Sequence, residues 1–392
     1  MEADRPLLMI PGPIEFSPAV LKATGEPSLS HVSPDFINLF SEALVLLRQV
    51  FLTTKAQPFV VSGSGTLGWD MVGANLLERD EKALVVSTGY FGDRFADCLE
   101  SFGAQVTKLK AATLGDCPSV EELKQALSQA SYKLVTLTHV DTSTGVLTDV
   151  KSFAKAIREV SPQTLVVVDG VCATGAEEFR MDEWDVDVCH TASQKAIGVP
   201  PGLAILLASP RAMEVFANRK TRPAGYFIDW NRWLPIMQNY EAKKGSYFAT
   251  PAVNLVKALN VSLKEILADG GMEKRFQAHV DASRKVREAI RAFGLEFIPV
   301  REELFAHTLT VVRLPAAVTD GAKFLGSVKQ HGAVLAGGLF PEIKYFRIGH
   351  MAYSVVSEAE HGHVLRTLKA IEAGLRDCGY AVPEGAALPN KL

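Results

Sequence analysis

Apolar residues along this chain follow two alternating rhythms. From about 35 to 52, Phe36, Phe40, Leu44, Leu47 and Phe51 recur at three- and four-residue spacing, which predicts an amphipathic helix. Short apolar runs follow at 59–61, 83–86, 133–138, 165–168, 186–189 and 203–207. Each is too short for a helix and rich in Val, Ile and Leu, so buried strands are predicted. Helical patterns at 67–77, Val120–Gln129 and Val150–Val160 lie between several of them. Strands alternating with helices predict a mainly parallel sheet covered on both faces. Beyond about 255 the pattern changes. Long helical stretches at 256–267 and 272–293 precede strand-like 309–314, a helix at 322–330, strand-like 345–348 and a final helix at 358–376. The expected organisation is an arm over 1–20, a large α/β/α sheet unit over 21–260 and a smaller α/β unit over 261–392. Within the arm, Pro11-Gly12-Pro13 cannot be regular helix or strand.

Composition narrows the function. Hydrophobic residues make up 47% of the 392, enough for large cores, and no stretch reaches the roughly 18 apolar residues of a membrane span. A net charge of −3 gives no electrostatic reason to expect nucleic acid or a membrane surface. Five cysteines with no CxxC spacing argue for free thiols in a reducing compartment, against a disulfide scaffold or a metal site.

The candidate chemistry sits at the ends of the predicted strands, where open parallel sheets bind ligands. Asp169 ends the run at 165–168, and Lys195 follows the run at 186–189. An aspartate and a lysine so placed suggest a pyridoxal 5′-phosphate site: the lysine forms the Schiff base and the aspartate keeps the pyridine nitrogen protonated. Ser62-Gly63-Ser64-Gly65-Thr66 precedes a predicted helix and either cradles an anion or only packs as a tight turn. It is neither GxGxxG nor a P-loop, so dinucleotide and nucleotide readings lose support. Gly89-Tyr90-Phe91-Gly92 is expected as a loop whose aromatic could stack on a flat ring. His139 to Gly145 offers hydroxyls for a phenolic oxygen, or simply turn chemistry.

Seven segments in order carry a resemblance. They are Ile10-Pro11-Gly12-Pro13, Gly63-Ser64-Gly65-Thr66-Leu67-Gly68-Trp69-Asp70, Asp93-Arg94-Phe95-Ala96-Asp97, Thr138-His139-Val140-Asp141-Thr142-Ser143-Thr144, Thr191-Ala192-Ser193-Gln194-Lys195-Ala196-Ile197-Gly198, Tyr247-Phe248-Ala249-Thr250-Pro251 and Arg347-Ile348-Gly349-His350-Met351. With these the chain resembles the class V (fold type I) aminotransferases, and within them the fungal alanine–glyoxylate aminotransferases. The resemblance implies the fold type I architecture, pyridoxal phosphate as cofactor and no metal. It assigns the Schiff base to Lys195 and the ring nitrogen to Asp169. Phe91 would stack on the ring, Thr142 would bond the phenolic oxygen, and Ser64, Gly65, Thr66 and Gln194 would hold the phosphate. Tyr247 and Thr250 would reach the phosphate of a neighbouring subunit, which implies a homodimer with shared sites. Arg347 would bind the substrate carboxylate bidentately, with the Pro11-Gly12 backbone of the arm close by. Two positions depart from the family pattern: Gly170 stands where relatives often carry alanine or serine, and Val32 where many carry a polar residue.

The implied reaction is a ping-pong transamination from a small L-amino acid, alanine favoured, to glyoxylate. Serine–pyruvate or serine–glyoxylate transamination is the runner-up. A cysteine desulfurase ranks low because no cysteine lies between Cys189 and Cys378. A nucleotide-binding or non-catalytic α/β module is the alternative of a different class, and the lack of a dinucleotide or P-loop fingerprint argues against it. The C-terminal Asn390-Lys391-Leu392 is close to a peroxisomal address, so a peroxisomal or cytosolic location is expected.

Overall fold

The structure, a computed structural model, describes residues 5–268, 270–383 and 385–387; the C-terminal tripeptide lies outside the described residues. Seven strands form the main sheet in the order Gln57–Ser62, Leu203–Ala208, Val188–Ala192, Leu165–Asp169, Leu134–Thr138, Lys82–Ser87 and Gln105–Lys110. Leu203–Ala208 runs antiparallel to both its neighbours, and the other pairings are parallel. The three central strands, Val188–Ala192, Leu165–Asp169 and Leu134–Thr138, are buried along their whole length, as a sheet covered on both faces requires. The fold is the expected mainly parallel α/β/α sheet with a smaller α/β unit after it.

Several elements depart from the pattern in the sequence. The strand expected at 186–189 begins at Val188 and continues through His190 and Thr191 to Ala192. Its polar half is fully buried because it lies between Asp169 and Leu203–Ala208, so hydropathy alone stops too early. Asp187, just before it, is spent on structure: it accepts from Val166 N, Ser209 Oγ, Arg158 and Arg211. The segment expected as a loop at Gly89-Tyr90-Phe91-Gly92 is instead the start of a helix, Tyr90–Ser101. The final helix is split by Gly362, which takes a left-handed φ of 62° between Glu358–His361 and His363–Asp377. Gln105–Lys110 carries no apolar run because it is the sheet's edge, where Lys108 and Lys110 pair with Asp97 and Asp93. Trp230–Glu241 is a helix despite Pro235 within it.

A smaller antiparallel sheet joins Leu309–Arg313, Tyr345–Gly349 and Ala336–Gly337. The arm belongs to this second unit by packing. Leu7–Leu8 pairs in parallel with Ala333–Val334, Gly349 N donates to Met9 O at 2.8 Å, and Leu7 and Met9 are buried in the second core. The long helix Gly271–Ala292 spans both cores, with Met272 and Phe276 in the first and Val286, Ala289 and Ile290 in the second.

A part-buried hydrogen-bonded pair joins the two units. Glu177, in the turn after Asp169, accepts from the backbone N–H of His307 and pairs with its Nδ1 at 2.7 Å. Burial pushes the Glu177 carboxyl up, but His307 outweighs it and holds the group below its ordinary 4.5. A carboxyl lowered in the folded state contributes stability above its unfolded value and loses it as pH falls through the folded one. Unfolding free energy measured in urea from pH 6 to pH 3 should therefore fall below pH about 4.5, and Glu177→Gln should flatten that fall. An equal slope in the variant would contradict the assignment.

Candidate active site

The carboxyl ends of the central strands open on one cavity of about 160 Å³. Ser64, Gly65, Thr66, Phe91, Thr142, Asp169, Gln194 and Lys195 all line it. They come from the ends of five strands of the sheet or the segments just after them, so the topology brings them together.

Asp169 is 3% exposed and its two oxygens have separate partners. Oδ2 accepts from Trp69 Nε1 at 2.9 Å, and Oδ1 accepts from Val171 N at 3.0 Å. His190 lies beside it, with Nε2 3.8 Å from Oδ2. Burial pushes the His190 imidazole down, so the ring is neutral and leaves the carboxylate without a fixed cation.

Lys195 lies in the turn after Val188–Ala192, and its Nζ donates to Pro11 O. Gly12 packs against the same side chain: a Cβ built there would stand 2.7 Å from Nζ, and φ is +117°. Only glycine fits. The Cys172 thiol also points to Pro11 O, at 3.7 Å.

The helix Thr66–Leu76 begins with no side-chain cap; Leu67 N and Gly68 N close turns on Ser64 O and Gly65 O, which leaves the Thr66 amide and the positive dipole end beside Ser64 and Gly65. Gln194 Oε1 is buried and has no hydrogen-bond partner. Phe91 is on the first turn of Tyr90–Ser101, and a buried carboxylate fixes that helix end. Asp141 Oδ2 accepts from Phe91 N at 3.1 Å and Gly92 N at 3.2 Å, while Ser143 Oγ accepts from Tyr90 N at 2.8 Å. Two hydroxyls of the Asp141–Thr144 turn are thus structural: Ser143 bonds Asp141, and Thr144 bonds Thr88 O. Thr142 keeps its place on the cavity wall, while its carbonyl accepts from Arg347 Nη1 at 3.3 Å. Arg347 Nε also donates to Gly337 O at 2.8 Å, and burial pushes its guanidinium pKa down.

Tyr247 and Thr250 do not line this cavity; both are exposed, Tyr247 by 64%. The cavity adds Trp69, Thr138, Val140, Val171 and Cys172, which carried no role in the sequence. Trp69 was findable. It lies one helical turn after Thr66, so both share a face.

A model of the family "Aminotransferase class-V" matches residues 19–334. The chain belongs to the class-V aminotransferases. It is 47% identical over 364 residues to alanine–glyoxylate aminotransferase 1 of Saccharomyces cerevisiae, covering 90% of this chain and 93% of that one. It is 34% identical to an L-aspartate–glyoxylate aminotransferase of Paracoccus denitrificans, over 90% of each chain. Among solved structures it superposes on an alanine–glyoxylate aminotransferase from Nostoc with a TM-score of 0.87 and 31% identity, over 96% of this chain and 97% of that one. A ureidoglycine–glyoxylate aminotransferase from Bacillus subtilis gives a TM-score of 0.89 at 27% identity, over 99% and 98%.

The class-V family implies pyridoxal phosphate, and this aminotransferase has the donors and acceptors to fit it. The uncapped helix start suits a phosphate, which Gln194 could meet only through its Nε2 amide; Asp169 suits a ring nitrogen, and Phe91 supplies an aromatic wall. The position of Phe91 depends on Asp141. Asp141→Ala removes both its amide contacts at that helix end and should cost about 1–2 kcal/mol in urea unfolding. It should also weaken retention of added pyridoxal phosphate on dialysis. Unchanged stability and retention would show that Asp141 does not set the helix end.

Proposed function

We propose that this aminotransferase uses pyridoxal 5′-phosphate to transfer the amino group of a small L-amino acid, L-alanine in the first place, to glyoxylate, giving pyruvate and glycine. The observation that carries the reading is one cavity holding Lys195 beside Asp169, Gln194 and the Ser64–Thr66 turn. The bound cofactor supplies an electron sink for negative charge at the substrate Cα. Asp169, which accepts from Trp69 Nε1 and Val171 N, would face the cofactor's ring nitrogen and keep it protonated. Lys195 Nζ takes the proton from the substrate Cα and later returns one, as a general base and then acid. Arg347 holds the substrate carboxylate with its planar fork.

The preference for a small monocarboxylate is supported by the arginines. Arg94 pairs with Asp97, Arg219 donates to Leu77 O, Arg222 lies near Asp229, and Arg232 stacks 3.6 Å over Tyr226. None of these four lines the cavity, and neither does Arg347, but Arg347 alone among the five bonds a residue of its wall, through Thr142 O. Serine remains the runner-up donor because a hydroxyl adds little volume to alanine.

The same reading assigns Tyr247 and Thr250 to the site of a second copy. In support, exposed Tyr247 packs on His31, and exposed Tyr226 and Phe227 pack on Phe248, which leaves an aromatic surface suited to a homodimer.

Two experiments test the proposal. Lys195→Ala should abolish the visible absorption band of the lysine-bound cofactor and lower turnover by at least about 10²–10⁴-fold; retained turnover would remove Lys195 from its role. A panel of half-reactions with alanine, serine, aspartate and phosphoserine should discharge the band fastest with alanine. Faster reaction with aspartate would overturn the single-clamp argument.

A further inference from the structure

The long helix Gly271–Ala292 carries two buried polar side chains one turn apart, and both reach toward the site from outside it. Arg275 Nε donates to Gly175 O at 2.5 Å, and its Nη2 donates to Ala196 O at 2.9 Å. Gly175 belongs to the turn that follows Asp169, and Ala196 is the residue after Lys195. One guanidinium therefore ties both cavity turns to one helix. A planar fork can bridge two carbonyls in this way, whereas an ammonium is a single point charge.

His279 completes the link. Ala352 N donates to its Nε2 at 3.0 Å, and its Nδ1 lies 2.7 Å from Arg275 O. A backbone N–H can only donate and a carbonyl can only accept, so the ring is the neutral Nδ1–H tautomer. Ala352 has a left-handed φ of 52° and follows the strand Tyr345–Gly349, which carries Arg347. Ile14, Ala176, Ala196, Met351 and Ala352 pack together at this junction as one small apolar cluster.

We infer that Arg275 and His279 are positioning residues that fix the lysine's turn relative to the strand of the carboxylate-binding Arg347. A substrate gripped by Arg347 must present its Cα to Lys195, and neither residue lies on the other's unit. The Arg275–His279 pair joins the two by hydrogen bonds that a shift of either turn would break. The inference rests on the roles given above to Lys195 and Arg347. Reacting groups held about 1 Å out of place lose roughly 10²-fold in rate, so the pair acts on turnover more than on binding.

The test uses the holoenzyme and four variants: Arg275→Lys, Arg275→Met, His279→Gln and His279→Leu. Melting temperature, cofactor absorption, and kcat and KM for alanine are measured per cofactor-bound site. Glutamine can still accept from Ala352 N and donate to Arg275 O, so His279→Gln should keep kcat within about 3-fold of the parent. His279→Leu should lower kcat by about 10- to 100-fold, with KM for alanine changed less than about 3-fold. Arg275→Lys should fall similarly because it bridges only one carbonyl. If Arg275→Met fails to fold, His279→Leu and Arg275→Lys decide the matter. Parental kcat per cofactor-bound site in His279→Leu and Arg275→Lys would overturn the inference and leave the pair a purely structural tie. Lys195→Ala, run alongside, reports separately on the assignment beneath: retained turnover there would remove that assignment whatever the four variants do.

Discussion

The site depends on satisfying one buried carboxyl group at the end of the middle strand, that of Asp169. A polar group out of water without partners costs about 1–3 kcal/mol, so its oxygens need donors. Its donors come from two places. Trp69 reaches it from the helix that begins at the Ser64–Thr66 turn, and Val171 N from the turn after its own strand. The helix whose positive dipole end suits a phosphate thus also holds the carboxyl group that suits a ring nitrogen. The stacking of Trp69 on Phe95, 5.3 Å between centroids, fixes that indole against the helix Tyr90–Ser101, whose first turn bears Phe91. Three cavity walls therefore share one buried acceptor as their reference point.

The second unit enters the site by way of the arm. Leu7 and Met9 are anchored in its core, and a few residues later Pro11 O accepts from Lys195 Nζ. Glu177 with His307, and Arg275 with Gly175 and Ala196, bind the turns on the other side to the same unit. Lys195 is held by the large sheet through its strand and by the smaller unit through what its amine touches.

Much of this was legible in the sequence, for a physical reason. Buried parallel strands must be apolar along their length, so Leu165–Asp169 and Leu134–Thr138 stood out as runs, and Asp169, the acidic residue that ends one of them, stood out as a candidate. The helices Val120–Gln129 and Val150–Val160 were marked by a clear 3.6-residue period. The reading failed where burial and polarity part company. His190 and Thr191 are strand residues with no exposure, but a hydropathy pattern cannot know that Asp169 and Phe95 surround them. Phe91 looked like a loop aromatic because its helix is capped by Asp141 and Ser143, some fifty residues away in the chain. Arg275 and His279 carried no signal at all: on a helix rich in charge they read as solvent-facing, and only tertiary packing shows them buried.

The cavity also bears on a rival chemistry from the same fold family. Removing sulfur from cysteine requires a nucleophilic thiolate, and the sequence offered no cysteine in the expected stretch. The structure does place a thiol at the site, since Cys172 lines the cavity and shares Pro11 O with Lys195. Its environment argues against attack. Burial pushes the thiol pKa up, further than the nearby lysine pulls it down, and the side chain is only 3% exposed. A reactive cysteine needs the opposite setting, electropositive and open. Cys172 therefore serves as a small buried group on the cavity wall beside Lys195.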